Sequence, residues 1–152
     1  MEKLNKINYI QGDATAPIGE GNKIIAHIVN NQNKWGAGFV LAISKKWKEP
    51  ETMYRNKKSY VLGEINYIKV ENDIMVANMI AQHGTGMDEN GDIPLRYTAL
   101  VHCLKNLNEV AGYINTSVHM PKIGSGLSGG DWKVIEQIIR ETLTCEVNIY
   151  YL

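Results

Sequence analysis

Apolar and polar positions along the chain follow two periods that alternate from one end to the other. Residues 23–29 and 74–80 are almost continuously apolar, as is typical of strands that are covered on both faces. Residues 64–70 alternate between apolar and polar, which predicts a half-exposed strand that pairs with 74–80 as a hairpin. Shorter apolar runs predict three further strands, at 7–10, 117–120 and 146–152.

Helical periodicity fills the segments between these strands. The clearest helical stripe lies within 94–111, a second follows over 132–143, and weaker patterns predict helices over 39–48 and 51–58. Because strands alternate with helices, the chain is predicted to be an α/β protein. We expect a three-layer α/β/α sandwich around a central mixed, mostly parallel sheet, forming a single domain over 1–152.

Composition narrows the function classes. The 152 residues are 44% hydrophobic, enough for a core without disulfides or metals, and 16 basic residues balance 16 acidic ones. A neutral chain argues against nucleic-acid and membrane partners. Cys103 and Cys145 form neither a disulfide framework nor a zinc-site spacing. The first six residues are too polar for a signal peptide, so we expect a cytoplasmic protein. We also expect a monomer that needs neither a metal nor a cofactor.

A glycine-rich loop, residues 124–130, lies between a predicted strand and a predicted helix. Glycines let backbone N–H groups approach a phosphate closely, and the start of a helix favours negative charge. The spacing matches neither the Walker loop nor the dinucleotide-binding motif. An equally weighted alternative is a tight turn in which Asp131 is the N-cap of the following helix.

A second polar segment, residues 30–38, follows the buried strand at 23–29. Its three asparagines offer neutral donors and acceptors of the kind that bind sugar hydroxyls, and three small residues end it at 36–38. Ligands of open α/β sheets bind beyond the carboxyl ends of strands, so the two loops together indicate a ligand with both sugar and phosphate. The alternative is a polar loop whose amides satisfy its own turns.

Few titratable residues are placed for chemistry. His27 lies within an apolar strand, which favours a hydrogen-bonded core residue, whereas His83 is either a general acid or base or a solvated loop residue. Asp13 either accepts from a base amino group or caps a turn. Of Tyr150 and Tyr151, one is expected to stack on a base and the other to be core. No Ser-His-Asp or paired-carboxylate motif is present.

Taken together, four motifs in this order resemble the macrodomain family, whose members are ADP-ribose-binding α/β/α modules. The motifs are Gly12-Asp13, the segment from Ala26-His27 to Gly36-Ala37-Gly38, the segment Met120 to Leu127, and Trp132 ahead of the terminal strand. The most similar branch is that of terminal ADP-ribose protein glycohydrolase, which also holds yeast-type ADP-ribose-1''-phosphate phosphatases.

The resemblance implies a role for each matching residue. Asp13 and the Ala14 backbone would bind adenine, and Tyr151 or Leu152 would close the adenine pocket. The distal ribose would be lined by Asn30, Asn31 and Asn33. The diphosphate would be held by two backbone segments, Gly36-Ala37-Gly38 and Ile123-Gly124-Ser125-Gly126-Leu127.

Two positions depart from this branch. Gln82 and Ser128 stand where the glycohydrolase has its lysine and aspartate, and an amide cannot form the covalent adduct that an amine can. The expected activity is therefore hydrolysis of ADP-ribose-1''-phosphate by water. The alternatives are removal of ADP-ribose from proteins, a non-catalytic ADP-ribose reader, or an α/β domain for another nucleotide. The candidates to orient or activate the water are His27, Asn33, His83 and, if its loop turns it inward, Asp131.

Overall fold

The computed structural model describes residues 7–152; residues 1–6, weighed above as a signal peptide, lie outside the described residues. Six strands and four helices alternate along the chain. The strands are β1 (Ile7–Gln11), β2 (Lys23–Asn30), β3 (Ile65–Glu71), β4 (Ile74–Gln82), β5 (Ser117–Pro121) and β6 (Val147–Tyr151). The helices are α1 (Phe39–Lys46), α2 (Glu49–Asn56), α3 (Tyr97–Ile114) and α4 (Trp132–Thr142).

All six strands form one sheet in the order β1-β6-β5-β2-β4-β3. Every neighbouring pair is parallel except β3 and β4, which form the predicted antiparallel hairpin at the edge of the sheet. The prediction of a mixed, mostly parallel sheet is therefore confirmed.

The sheet is covered on both faces, which explains the unbroken apolar runs of β2 and β4. Side chains of a strand alternate between faces, so Ile24 packs against α3 and α4 while Ile25 packs against α1 and α2. The three-layer α/β/α architecture predicted from the sequence is confirmed.

Helix α3 begins three residues later than predicted. Leu95 forms an isolated bridge with Gln82, and the Arg96 N–H donates to the Ala81 carbonyl at 2.8 Å, so the residues before Tyr97 are extended. The helix continues to Ile114 and ends at Asn115, whose φ of 55° is left-handed. Within residues 7–152, no helix has the length and apolar character needed to cross a bilayer.

The five parallel strands end at the same edge of the sheet. Across this edge, in order, lie the segment after β1, the last residues of β6, and the segments after β5, β2 and β4. Both glycine-containing loops singled out in the sequence, 31–38 and 122–131, are thus adjacent.

Candidate functional site

The two loops enclose a cavity of about 540 Å³ at this edge of the sheet. They touch at its rim, since a Cβ built on Gly38 would lie 3.6 Å from Leu127 Cδ1. Nine of the predicted site residues line the wall: His27, Asn30, Gly36, Ala37, Gly38, Ile123, Gly124, Gly126 and Leu127. Eight are not in it: Asp13, Ala14, Asn31, Asn33, His83, Ser125, Asp131 and Tyr151.

The cavity is electropositive although the chain as a whole is neutral. Lys34 and Lys122 belong to its wall, and none of the described residues that line it is an aspartate or glutamate. An anionic ligand therefore finds favourable charge here and no like charge to repel it.

Asn30 folds the first loop around its own side chain. Its Oδ1 accepts from the backbone N–H groups of Gln32 (2.9 Å) and Lys34 (3.2 Å), and its Nδ2 donates to the Lys34 carbonyl at 2.7 Å. The Tyr54 hydroxyl lies 2.9 Å from the same Oδ1. Asn30 lies in the cavity wall, but its side-chain amide bonds to the backbone of its own loop. This matches the alternative stated for the segment, a polar loop whose amides satisfy its own turns.

The other two asparagines, which the resemblance places at the distal ribose, are not among the residues that line this cavity. Asn31 bridges to the segment after β4, where its Nδ2 lies 3.0 Å from His83 Nδ1 and its Oδ1 accepts from the Gly84 N–H at 3.1 Å. Asn33, with a left-handed φ of 61°, donates to two carbonyls at the end of α2. Both amides tie neighbouring segments to the loop.

The first loop ends in the start of α1. Gly38 has a φ of 81°, a conformation that favours glycine, and the helix has neither a side-chain cap nor an acidic residue in its first turn. Gly38, Phe39 and Val40 all line the cavity. The positive end of the helix dipole is thus left without a protein counter-charge at the cavity.

The glycines of the second loop serve two different purposes. A Cβ on Gly130 would lie 2.6 Å from the Gly124 carbonyl oxygen, and Gly124 itself has a left-handed φ of 73°, so the turn favours glycine at both positions. A Cβ on Gly126 or Gly36 would meet nothing within 4 Å. The tight turn and the open backbone expected from the sequence are therefore both present, at different residues.

Gln82 and Ser128 meet in the cavity wall. The Ser128 hydroxyl donates to Gln82 Oε1 at 2.5 Å, and Gln82 Nε2 donates to the Gly84 carbonyl at 2.8 Å. These two side chains offer hydrogen bonds but neither a nucleophilic amine nor a carboxylate. Their hydrogen bond joins the end of β4 to the loop after β5 in the cavity wall.

His27 is both a core residue and part of the cavity wall. Its Nε2 lies 2.6 Å from Asn78 Oδ1, and its ring packs edge-on against Trp35 with centroids 5.5 Å apart. Burial lowers the pKa of His27 to about 4, so the ring is neutral at neutral pH. Its Nδ1 is buried and has no hydrogen-bond partner in the described part of the chain.

His83 and Asp131, both expected as candidates for the chemistry, lie outside the wall. Asp131 is exposed and is the N-cap of α4, with its Oδ1 accepting from the Lys133 N–H at 2.9 Å. Its loop does not turn it inward, so the capping alternative is confirmed. His83 is only partly buried, and its Nδ1 is engaged by Asn31.

The residues expected around adenine lie at the β1 and β6 end of the same edge. Asp13 Oδ1 accepts from both the N–H and the hydroxyl of Thr15, each at 2.8 Å, which forms a turn that buries Ala14. Tyr151 is 44% exposed beside this turn, and Leu152 is 98% exposed.

Tyr150, the neighbour of Tyr151, anchors the segment after β1. Its buried hydroxyl accepts from the Ile18 N–H at 3.0 Å and lies 2.8 Å from His119 Nδ1. The other ring nitrogen of His119, Nε2, lies 2.8 Å from the Ser117 hydroxyl. Burial lowers the pKa of His119 to about 4, which leaves its ring neutral. Tyr150 is the core tyrosine that the sequence predicted, and the stacking of Tyr151 on a base stays a prediction.

Sequence reasoning missed several residues of the wall. Lys34 and Lys122 each precede a cavity glycine by two positions, a spacing that could have identified them. Thr85, between two glycines, carried a similar signal. Asn78, which contacts His27, carried none, because only the register of β2 against β4 brings the two residues together.

Among the solved structures that match almost the whole chain are two bacterial proteins with high sequence identity. A protein of unknown function from Bacteroides thetaiotaomicron is 49% identical, with a TM-score of 0.94, over 98% of this chain and 99% of that chain. A macrodomain protein from Streptomyces coelicolor is 39% identical, with a TM-score of 0.83, over 97% and 99%. No family model matches the chain.

Curated relatives are more distant. The ADP-ribose 1''-phosphate phosphatase of Lodderomyces elongisporus is 26% identical over 158 residues, which cover 96% of this chain and 98% of that protein. The chromodomain-helicase-DNA-binding protein 1-like of Mus musculus is 29% identical over 160 residues, but the chain spans only 18% of that protein.

Proposed function

The chain belongs to the macrodomain family, and on that premise we propose that it binds ADP-ribose and hydrolyses ADP-ribose-1''-phosphate to ADP-ribose and inorganic phosphate. The observation that carries the proposal is the cavity between two bare backbone segments, with two lysines and no carboxylate in its described wall. The phosphatase of Lodderomyces elongisporus, which the chain matches over nearly its whole length, supports this choice of substrate.

The order of the segments across the sheet edge supports one direction for the ligand. The diphosphate fits between Gly36 and Gly126, where backbone N–H groups and the α1 dipole meet open space. Adenine then lies toward β1 and β6, beside Asp13 and Tyr151. The distal ribose lies toward the ends of β2 and β4, near Gln82 and Thr85.

The terminal phosphate would lie at the β2 and β4 end, where Lys34 belongs to the wall. Lys122 follows β5 and so lies on the side of the adenine end. The two lysines therefore serve different parts of the substrate: Lys122 the diphosphate, and Lys34 the phosphate that is removed.

The reaction places few chemical demands on the protein. Water forms a bond to phosphorus, the bond from phosphorus to the 1''-oxygen breaks, and a proton from the water ends on the released sugar hydroxyl. Phosphoryl transfer passes through a loose transition state that depends mainly on positioning and charge. His27, with its low pKa, is suited to orient the water through Nδ1 rather than to act as a strong base.

A second candidate function is a reader that binds ADP-ribose without hydrolysing anything. The hydrogen bond between Gln82 and Ser128 favours it, because the two side chains occupy each other and provide no acid, base or nucleophile. Removal of ADP-ribose from proteins is the third candidate, and the same pair makes a lysine adduct unavailable to it.

Two measurements separate these functions. We expect saturable heat in calorimetry with ADP-ribose, and release of phosphate from ADP-ribose-1''-phosphate above the rate in buffer. Absence of binding would contradict all three functions. Binding without phosphate release would leave the reader, or the protein hydrolase if ADP-ribosylated protein is cleaved.

The direction of the ligand is tested by two matched lysine variants. Lys34→Gln should weaken binding of ADP-ribose-1''-phosphate by about three- to tenfold more than binding of ADP-ribose. Lys122→Gln should weaken both ligands alike, and Lys105→Gln, on an exposed position of α3, should change neither. Equal losses of both ligands in Lys34→Gln would overturn the proposed direction.

A further inference from the structure

Asn78 is a polar side chain in the interior of the sheet. It lies on β4 directly opposite His27 on β2, and it is completely buried. Its Oδ1 lies 2.6 Å from His27 Nε2, and this is the histidine ring's one hydrogen bond to the described residues. Of the two residues, His27 belongs to the cavity wall and Asn78 does not.

The surroundings of Asn78 fix which end of its amide faces the histidine. Its Nδ2 lies 3.1 Å from the backbone carbonyl of Pro50, and a carbonyl oxygen only accepts hydrogen bonds. The NH2 group must therefore point to Pro50. A second acceptor, Oδ1 of Asn66, lies 3.4 Å from the same nitrogen and reinforces this orientation.

The orientation of the amide determines the tautomer of His27. An amide oxygen cannot donate, so His27 Nε2 must carry the hydrogen, and in the neutral ring Nδ1 then carries a lone pair. That lone pair is buried without a partner in a residue of the cavity wall. An unpaired buried nitrogen lowers stability, so a purely structural pair would leave it unexplained.

We propose that Asn78 is a positioning residue that holds His27 as the Nε2–H tautomer, so that Nδ1, buried in this structure, is the acceptor for the attacking water or for a ligand hydroxyl once ligand binding opens a path to it. The identity of that ligand rests on the proposed function, whereas the tautomer rests on the structure alone. With the other tautomer, Nδ1 would carry a hydrogen and could not accept from either.

The unaltered protein provides the first test. Nitrogen NMR of the His27 ring, through long-range proton–nitrogen correlations, distinguishes the two tautomers directly. We expect the Nε2–H form, and we expect the Nδ1 resonance to shift when ADP-ribose is added. An Nδ1–H form would overturn the proposal, and so would an unmoved Nδ1 resonance under saturating ADP-ribose.

Asn78→Leu tests the consequence for the reaction. We expect a mixture of His27 tautomers and a fall in kcat of about tenfold or more, with a much smaller change in KM. Asn148→Leu is the matched control, since Asn148 is also a buried, hydrogen-bonded asparagine of the sheet but lies on β6. An unchanged kcat in Asn78→Leu would overturn the proposal.

The two measurements keep this inference apart from the proposed function. If ADP-ribose does not bind but the ring is the Nε2–H form, the proposed ligand is wrong and the role of Asn78 in fixing the tautomer stands. If ADP-ribose binds but the ring is the Nδ1–H form, the ligand stands and the positioning role is wrong. If Asn78→Leu does not fold, the NMR of the unaltered protein still decides.

Discussion

Acid should unfold this protein through its buried histidines. The pKa of His27 is about 4 in the folded chain against an ordinary value of 6.5, because burial disfavours the charged ring. Between these two values the unfolded chain binds a proton that the folded chain does not. The free energy of unfolding is therefore highest above about pH 6.5, and it falls as the pH drops from there toward 4.

The magnitude follows from the two pKa values. At about pH 5, a single such histidine lowers the free energy of unfolding by about 2 kcal/mol relative to neutral pH. His119, also fully buried with a pKa of about 4, should contribute a similar amount. Together they account for about 4 kcal/mol, a large part of the stability of an ordinary domain.

Urea unfolding at about pH 7.5 and about pH 5 measures the effect. The informative quantity is the difference between the two unfolding free energies, because any packing that a substitution removes weakens the fold equally at both pH values and cancels. His27→Gln should reduce that difference by about 2 kcal/mol. His102→Gln, on the exposed side of α3, should leave it unchanged. A pH difference in His27→Gln equal to that of the unaltered chain would refute the reasoning.

Four further substitutions test the division between scaffold and cavity. Gly126→Val should leave the thermal unfolding midpoint unchanged but weaken ADP-ribose binding by about tenfold or more in calorimetry, since its side chain fills open space beside the loop. Gly130→Ala should instead lower the unfolding free energy by about 1–3 kcal/mol, because its Cβ would lie 2.6 Å from the backbone carbonyl oxygen of Gly124. Asn30→Ala should cost about 2–3 kcal/mol in urea unfolding, because it leaves backbone groups of the first loop without partners. Asp131→Ala should lower the free energy of unfolding by about 1 kcal/mol, because α4 loses its N-cap. Phosphate release should stay at the rate of the unaltered protein, and a large fall in that rate would show that Asp131 takes part in the reaction.

The sheet and the place of the cavity could be predicted because they follow from short-range patterns. The unbroken apolar runs of β2 and β4 come from burial on both faces, and glycines after two parallel strands mark the edge where those strands end. Asp131 followed the same logic, since an aspartate directly before a helical stripe is a common N-cap.

The roles of the polar side chains could not be predicted, because their partners come from distant parts of the chain. Asn30 accepts from Tyr54, 24 residues away, and His27 meets Asn78, 51 residues away. Gly124 and Gly126 look alike in the sequence, yet Gly124 has a left-handed φ of 73° and packs against core side chains, whereas Gly126 faces open space. Only the packing of α4 and the neighbouring core distinguishes them.

The anchoring of the segment after β1 has a consequence for how tightly a nucleotide is held. The Tyr150 hydroxyl secures Ile18, and Asp13 is fixed by its bonds to Thr15. A loop that is immobile before the ligand arrives loses little conformational entropy on association, so more of the contact energy appears as affinity. Replacing the Tyr150 hydroxyl by hydrogen would restore that freedom at the end where adenine is proposed to bind, and the resulting penalty would be entropic rather than enthalpic.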